Sequence, residues 1–263
     1  MLAGSGLLRY RAYIVRNAWD ELRHRYAGTA LGIVWNVVVP LAQILVYAVV
    51  FTQIMVIRMP TNLSKNAFVV YLCAGFFPWL AFMECVVRGG QAFVDHANLL
   101  KRLAIPEEVF VAQAALASTF SLMLSIVLLF VAALFLGHPP SLTWLLVPVA
   151  CLLFQLFGFG LGLILSCLNL FFRDIAQLVP IAFQIWMWAT PVVYVESILP
   201  EAYRAFLPAN PAWPYLTAVH DLMVYGTMPG LGIWAAMVAW AVVALFVGSL
   251  TVRKLRLEIR DVV

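Results

Sequence analysis

Residues 109–136 read VFVAQAALASTFSLMLSIVLLFVAALFL, with no Asp, Glu, Lys or Arg among them. A helix that crosses a bilayer needs roughly 20 apolar residues, and this run exceeds that. Five more runs flank it, at about Ala30–Ile57, Ala67–Val87, Leu142–Phe172, Ile175–Val195 and Leu231–Val252. The expected fold is an all-α polytopic membrane protein with six transmembrane helices. Several runs are longer than the minimum, so tilted or partial spans are expected. Pro40, Pro148, Pro180 and Pro191 fall inside them, which membrane helices tolerate where neighbours re-satisfy the freed carbonyls. Composition agrees. Of 263 residues, 65% are hydrophobic and 11% charged, and the mean hydropathy is +0.98. A soluble domain is about half apolar and about a quarter charged. A soluble enzyme, a nucleic-acid module and a disordered chain are therefore excluded.

The basic residues orient the spans. With both termini cytoplasmic, Arg9, Arg11, Arg16, Arg23, Arg25, Arg88, Lys101, Arg102, Arg173, Arg253, Lys254, Arg256 and Arg260 lie inside, and only Arg58, Lys65 and Arg204 lie outside. Both termini are therefore expected in the cytoplasm. Cys73, Cys85, Cys151 and Cys167 sit in apolar runs without a C-x-x-C, which reads as buried thiols and not as a disulfide framework. Arginines interrupt the N-terminus before any long apolar core, so no cleavable signal is expected. No repeat or linker divides residues 1–263, which read as one domain.

Three segments do not span. In residues 7–26, Leu8, Val15, Trp19, Leu22 and Tyr26 fall within about 60° on a helical wheel, opposite Arg9, Arg16, Asn17, Asp20 and His24. The segment (1–29) reads as an interfacial helix, serving either as an anchor or as a gate and headgroup site. The connection 88–108 carries Asp95, His96, Asn98, Leu99, Leu100, Lys101 and Arg102. It is expected to form a short helix with Asp95 near its start, either a handle for another protein or an ordinary interfacial turn. Residues 196–229 are outside yet rich in apolar side chains and broken by Pro200, Pro208, Pro211 and Pro214. Two short helices dipping into the outer leaflet, joined near Asn210-Pro211, fit this better than a solvated loop. Residues 253–263 form a cytoplasmic tail.

Catalytic and metal constellations are lacking: His24, His96, His138 and His220 are scattered, and no Gly-Lys dipeptide exists for a phosphate loop. Glu84 is the clearest intramembrane acid, with Arg88 at i+4 to pair with it. Two spans carry uncharged polar stripes: Asn36, Pro40, Gln43 and Tyr47 in the first, and Gln177, Gln184 and Trp188 in the fifth. Amides bond sugar hydroxyls and aromatic faces stack on sugar C–H faces, so the stripes suit a conduit for a neutral or weakly acidic polymer. Interhelical hydrogen bonding is the other reading. Gly158, Gly162 and Ser166, with Gly160 beside them, make a close-packing face, within the subunit or at a dimer seam.

Four stretches, in order and spacing, resemble one family. Arg25-Tyr26-Ala27-Gly28-Thr29-Ala30-Leu31-Gly32-Ile33-Val34-Trp35 with Pro40 is similar to the opening of the membrane subunit of ABC-2-type polysaccharide exporters. Gly75-Phe76-Phe77-Pro78-Trp79, Phe171-Phe172-Arg173-Asp174-Ile175 and Trp188-Ala189-Thr190-Pro191-Val192-Val193-Tyr194 follow, and Asn210-Pro211 fits an outer-loop N-P. The resemblance implies an ABC-2, type V exporter-like fold in a bacterial inner membrane. It implies a homodimer paired with two ATP-binding cassette ATPase subunits, which bind the ATP and Mg that this chain does not. It further implies that Asp95–Arg102 is a coupling helix and that Phe206, Asn210, Pro211, Trp213 and Tyr215 belong to outer gate helices. Asn36, Gln43, Tyr47, Gln177, Gln184, Trp188 and Tyr194 would line the conduit. Arg23 and Arg25 would meet the phosphate of a lipid-linked glycan, or act as solvated anchors. The expected cargo is O-antigen, capsular polysaccharide or teichoic acid, with a periplasmic export partner if the cargo is capsular. An ABC-2 permease for small lipophilic molecules and a membrane-embedded transferase are the rival readings.

Overall fold

In a membrane every backbone N–H and C=O must pair within its own segment, which favours helices. A computed structural model describes residues 4–24, 28–50, 64–102 and 105–262, and their regular structure is helical throughout. In chain order the helices are α1 (Gly4–Arg9), α2 (Arg11–His24), α3 (Trp35–Val49), α4 (Lys65–Asp95), α5 (Ala97–Arg102), α6 (Glu108–Phe135), α7 (Val147–Phe171), α8 (Ile175–Trp188), α9 (Glu201–Arg204), α10 (Trp213–His220) and α11 (Leu231–Val262).

Among the described residues, four helical stretches are long and apolar enough to cross a membrane: Lys65–Asp95, Glu108–Phe135, Leu142–Phe171 and Leu231–Ile259. The first of these contains its expected span with a turn or more at the basic end. Spans one and five are shorter, as helices Trp35–Val49 and Ile175–Trp188. For span one, residues 51–57 lie outside the described residues. For span five the expected end at Val195 is corrected. The helix stops at Trp188, about 21 Å long at 1.5 Å per residue, short of a hydrocarbon core of about 30 Å. Pro191 cannot continue it, and Thr190 Oγ1 turns back to donate to the Trp186 carbonyl at 2.8 Å.

Helix α7 is the centre of the bundle. Its glycines let neighbours approach on two sides. Gly158 packs under Phe82 and Cys85 of α4, and Gly162 lies against Gly89. On the opposite side Gly160 meets Ala244 and Gly248 of α11. A Cβ on Gly160 would come within 2.5 Å of the Ala244 backbone carbon, and one on Gly248 within 2.6 Å of the Gly160 carbonyl oxygen. The close-packing face expected from Gly158, Gly162 and Ser166 is thus used within one chain at its two glycines, and Gly160, expected beside it, serves the opposite side. Above it an aromatic core joins four helices. Phe82 stacks on Phe154 at 4.1 Å, Phe154 stacks on Tyr215 at 4.7 Å, and Trp79 and Phe183 close round them.

The N-terminal helix α2 lies along α6. Ile14, Ala18 and Leu22 are buried, while Leu8, Val15 and Trp19 stay exposed. The apolar arc read from the sequence is therefore divided: Leu22 turns to the protein, and Val15 and Trp19 face outward. Tyr26 lies outside the described residues. Gly28 and Gly32 take positive φ of 82° and 50° in the turn before α3, and Thr29 Oγ1 accepts from Gly32 N at 3.1 Å. The small and hydroxyl residues of that opening motif thus make a turn that a side chain at Gly28 or Gly32 would strain.

Candidate functional site

The two polar stripes have different surroundings. Asn36 and Gln43 line a cavity of about 140 Å³ between α3, α4 and α6, together with Glu84, Ser121 and Ser125. Tyr47, the last residue of that stripe, packs edge-on against Phe76 at 5.6 Å. Gln177, Gln184 and Trp188 are exposed on the free face of α8, and the cavity contains none of them. One chain alone does not bring the stripes together.

Trp188 instead joins a second site, at the end of α8 opposite its start at Ile175. A cleft of about 450 Å³ is lined by Trp188, Tyr194, Tyr203, Phe206 and Asn210, with Leu199, Pro200 and Leu207 between them. Trp188, Tyr203 and Phe206 are among the more exposed large side chains. Four aromatic rings and one amide, with no charged side chain in the lining, make an uncharged stacking surface of the kind that suits sugar rings. Tyr194 is held in place, since its hydroxyl donates to the Trp188 carbonyl at 2.9 Å and its own carbonyl accepts from Tyr71 at 3.0 Å.

The segment 196–229 folds into short helices, as expected, and its residues divide by role. Phe206 faces the cleft. Asn210 is a structural knot: Trp186 Nε1 donates to its Oδ1 at 2.9 Å, Ala212 N donates to the same oxygen at 3.1 Å, and its Nδ2 donates to Thr190 Oγ1 at 2.8 Å. Pro211 bars the preceding residue from helical angles, and Asn210 is extended with ψ 116°. Trp213 Nε1 donates to Glu196 at 2.6 Å, and Thr217 donates to the same oxygen. Tyr215 is fully buried in the aromatic core and donates to the Met237 carbonyl at 2.6 Å. Trp186, Thr190 and Glu196 were not singled out in the sequence, though Thr190 lies in a motif already quoted. Tyr71 and His220 were also missed. They stack at 3.8 Å with His220 fully enclosed, and His220 and Val192 cover Gly75. Just after α10, burial and the neighbouring Glu196 push the Asp221 carboxyl up to about 6.

At the basic end the expected short helix is present with one correction. Asp95 closes α4, and α5 starts at Ala97. His96 forms the corner: its Nδ1 lies 2.9 Å from the Ala92 carbonyl and its ring stacks on Phe110 at 4.9 Å. Leu100 is buried beneath α5, while Asn98, Leu99, Lys101 and Arg102 are exposed. The pair expected from spacing forms, with Arg88 Nη1 donating to Glu84 at 3.2 Å. Local spacing carries no sign that Glu21 of α2 also binds Arg88 and accepts from Gln113 at 3.2 Å, because that contact bridges distant segments. Arg256, on the extension of α11, is 3.0 Å from Glu107 and 3.3 Å from Glu108, both buried at the start of α6. Arg23 is exposed, and Arg25 lies outside the described residues.

The profile of the ABC-2 type transporter family matches residues 13–224, which include α3 to α8 and the cleft. The chain belongs to that family. ABC-2 relatives bearing a transport name cover most of its length. An O-antigen export system permease protein, RfbA, of Myxococcus xanthus is 29% identical over 92% of this chain and 92% of its own. One of Klebsiella pneumoniae with the same name is 27% identical over 79% of this chain and 78% of its own. The polysialic acid transport protein KpsM of Escherichia coli is 24% identical over 80% of this chain and 79% of its own. As an ABC-2 transporter chain it is a multi-pass membrane protein and a transport component. Among the described residues no group of His, Cys, Asp and Glu is placed to hold a metal ion.

Proposed function

We propose that this ABC-2 chain is the permease subunit of an ATP-driven exporter that moves lipid-linked cell-surface polysaccharide, of the O-antigen or capsule class, across the bacterial inner membrane. The observation that carries the reading is the uncharged aromatic cleft of Trp188, Tyr194, Tyr203 and Phe206, on a chain similar along nearly its whole length to an O-antigen export permease. Two copies enclose the conduit, with the exposed α8 faces bearing Gln177, Gln184 and Trp188 turned toward it. Both termini are cytoplasmic, which puts α5 at the cytoplasmic surface and the cleft at the outer mouth. A separate ATPase, with its ATP and Mg, seats on α5 through Leu99, Lys101 and Arg102. His96 on Phe110 and buried Leu100 hold α5 rigidly enough to transmit the push.

The test is a strain lacking the chain, complemented with wild type or with Q184L/W188L. The double variant should assemble with the ATPase yet cut surface polysaccharide about tenfold, the scale of one or two lost stacking contacts. Unchanged export would remove these residues from the conduit. If the deletion strain accumulates a small lipophilic compound and no internal polysaccharide, the cargo is of the other class that ABC-2 permeases carry. At the basic end, K101E/R102E should leave the chain folded but lower co-purification of the ATPase. Full ATP turnover in that complex would refute the docking site.

A further inference from the structure

The cavity between α3, α4 and α6 is unlike the other helix contacts of the bundle. Its wall combines the amides of Asn36 and Gln43, the carboxylate of Glu84 and the hydroxyls of Ser121 and Ser125. Glu84 is held by Arg88, but the amides of α3 do not bond the α4 and α6 groups across the gap. Among the described residues, no side-chain hydrogen bond joins Asn36 or Gln43 to α4 or α6. Ser125 donates along its own helix to the Ser121 carbonyl at 3.0 Å, and Ser121 Oγ is buried with no partner among the described residues. Pro40 also lines the wall. It has no N–H to offer the carbonyl of Asn36 four residues earlier, which frees another acceptor.

A buried polar group without a partner is costly, and in hydrocarbon no lipid tail relieves it. A water needs space for about one molecule and two to four polar partners. A cavity of about 140 Å³ lined by five polar side chains meets both conditions several times over. A sugar ring in the same space would press on Phe77, Leu80 and Leu122, which complete the wall.

We propose that this cavity is a water-binding site inside the membrane, and that its exchangeable water carries the polar contacts between span one and the α4–α6 wall. The site is separate from the aromatic cleft and needs no cargo. It makes span one the movable wall of the subunit: a contact made through water re-forms after a shift of an ångström or two, and direct side-chain bonds in fixed geometry do not.

The experiment is cysteine accessibility on the full chain in lipid vesicles, without nucleotide or polysaccharide. The four native cysteines are buried, so the unmodified chain sets a low background. Ser125→Cys and Gln43→Cys, on opposite walls, should react with a charged, water-soluble methanethiosulfonate about tenfold faster than Ser118→Cys, because thiolate formation needs water. Ser118 is fully buried and donates to Gln155 at 3.3 Å. Adding Ser125→Leu should slow the reaction of Gln43→Cys by filling the space. The proposal is overturned if Gln43→Cys and Ser125→Cys are both folded and both inert to the charged reagent, or if only a lipid-soluble maleimide labels them, which would mark the cavity as hydrocarbon-filled.

Discussion

Helix α4 has two seams that obey opposite rules. Toward α7 it is dry and tight: Gly89 lies on Gly162, and Phe82 and Cys85 lie on Gly158, with α11 closing the far side of α7 through Gly248 on Gly160. Toward α3 it is polar and spaced, with Glu84, Asn36, Gln43 and the α6 serines around a cavity. Small residues let backbones approach closely, and in lipid that packing is the main source of helix association. A polar gap gains little packing but tolerates movement. The bundle thus has a fixed block, α4–α7–α11, and one wall, α3, whose contacts are replaceable.

The sharpest way to break the contrast is to put bulk into the tight seam. Gly160→Leu should cost about 3 kcal/mol or more, at the upper end of overpacking penalties, and should abolish monodisperse protein in size-exclusion chromatography. If the variant purifies normally, the block is not fixed. Next in size, Arg88→Met leaves Glu21 and Glu84 facing each other without their shared cation. It should cost about 1–2 kcal/mol after discounting for partial exposure, read as a lower unfolding midpoint in mixed micelles, and Glu21→Gln should restore part of it. Gln43→Leu, in the spaced seam, should change stability by less than about 0.5 kcal/mol, since an amide bonded to water is exchanged for an apolar group. A loss of 2 kcal/mol or more there would show direct bonding and erase the contrast.

The smallest effect concerns pH in the segment 196–229, away from both seams. Asp221 has its carboxyl raised from 3.8 to about 6 by burial and Glu196, and Tyr225 and Tyr71 lie in the same neighbourhood. Between those two values the unfolded chain releases a proton that the folded chain keeps. Stability should therefore fall as pH rises from about 4 to about 6 and then level off. Asp221→Asn should flatten that part of the curve in a thermal-unfolding series.

What the sequence revealed depended on how local the cause was. The run from Val109 to Leu136 and the glycines of α7 act through composition and i+4 spacing, and the helices follow them closely. Glu84 with Arg88 was readable for the same reason. Glu21 on the same arginine was not, because it arrives from 67 residues away. Asp95 was placed on the wrong helix because His96 makes the corner through Phe110, a contact between two helices. Tyr215 and Asn210 were assigned to gate helices by family resemblance alone, and nothing in the sequence told that their polar groups bond Met237 and Trp186, Thr190 and Ala212. A pattern of polar residues names a place in the chain but not what each side chain touches.

One consequence follows from the length of α4. It runs unbroken for 31 residues, with Asp95 next to α5 at one end and Tyr71 and Gly75 under the outer segment at the other. If the α4–α7–α11 block tips as one unit about the level of Gly89, the short arm of α4 to Asp95 is about 9 Å and the long arm to Tyr71 about 27 Å, at 1.5 Å per residue. The block is then a lever with a mechanical advantage of about one third, so a nudge at the α5 end arrives at the Tyr71 end roughly three times as large and correspondingly weaker in force.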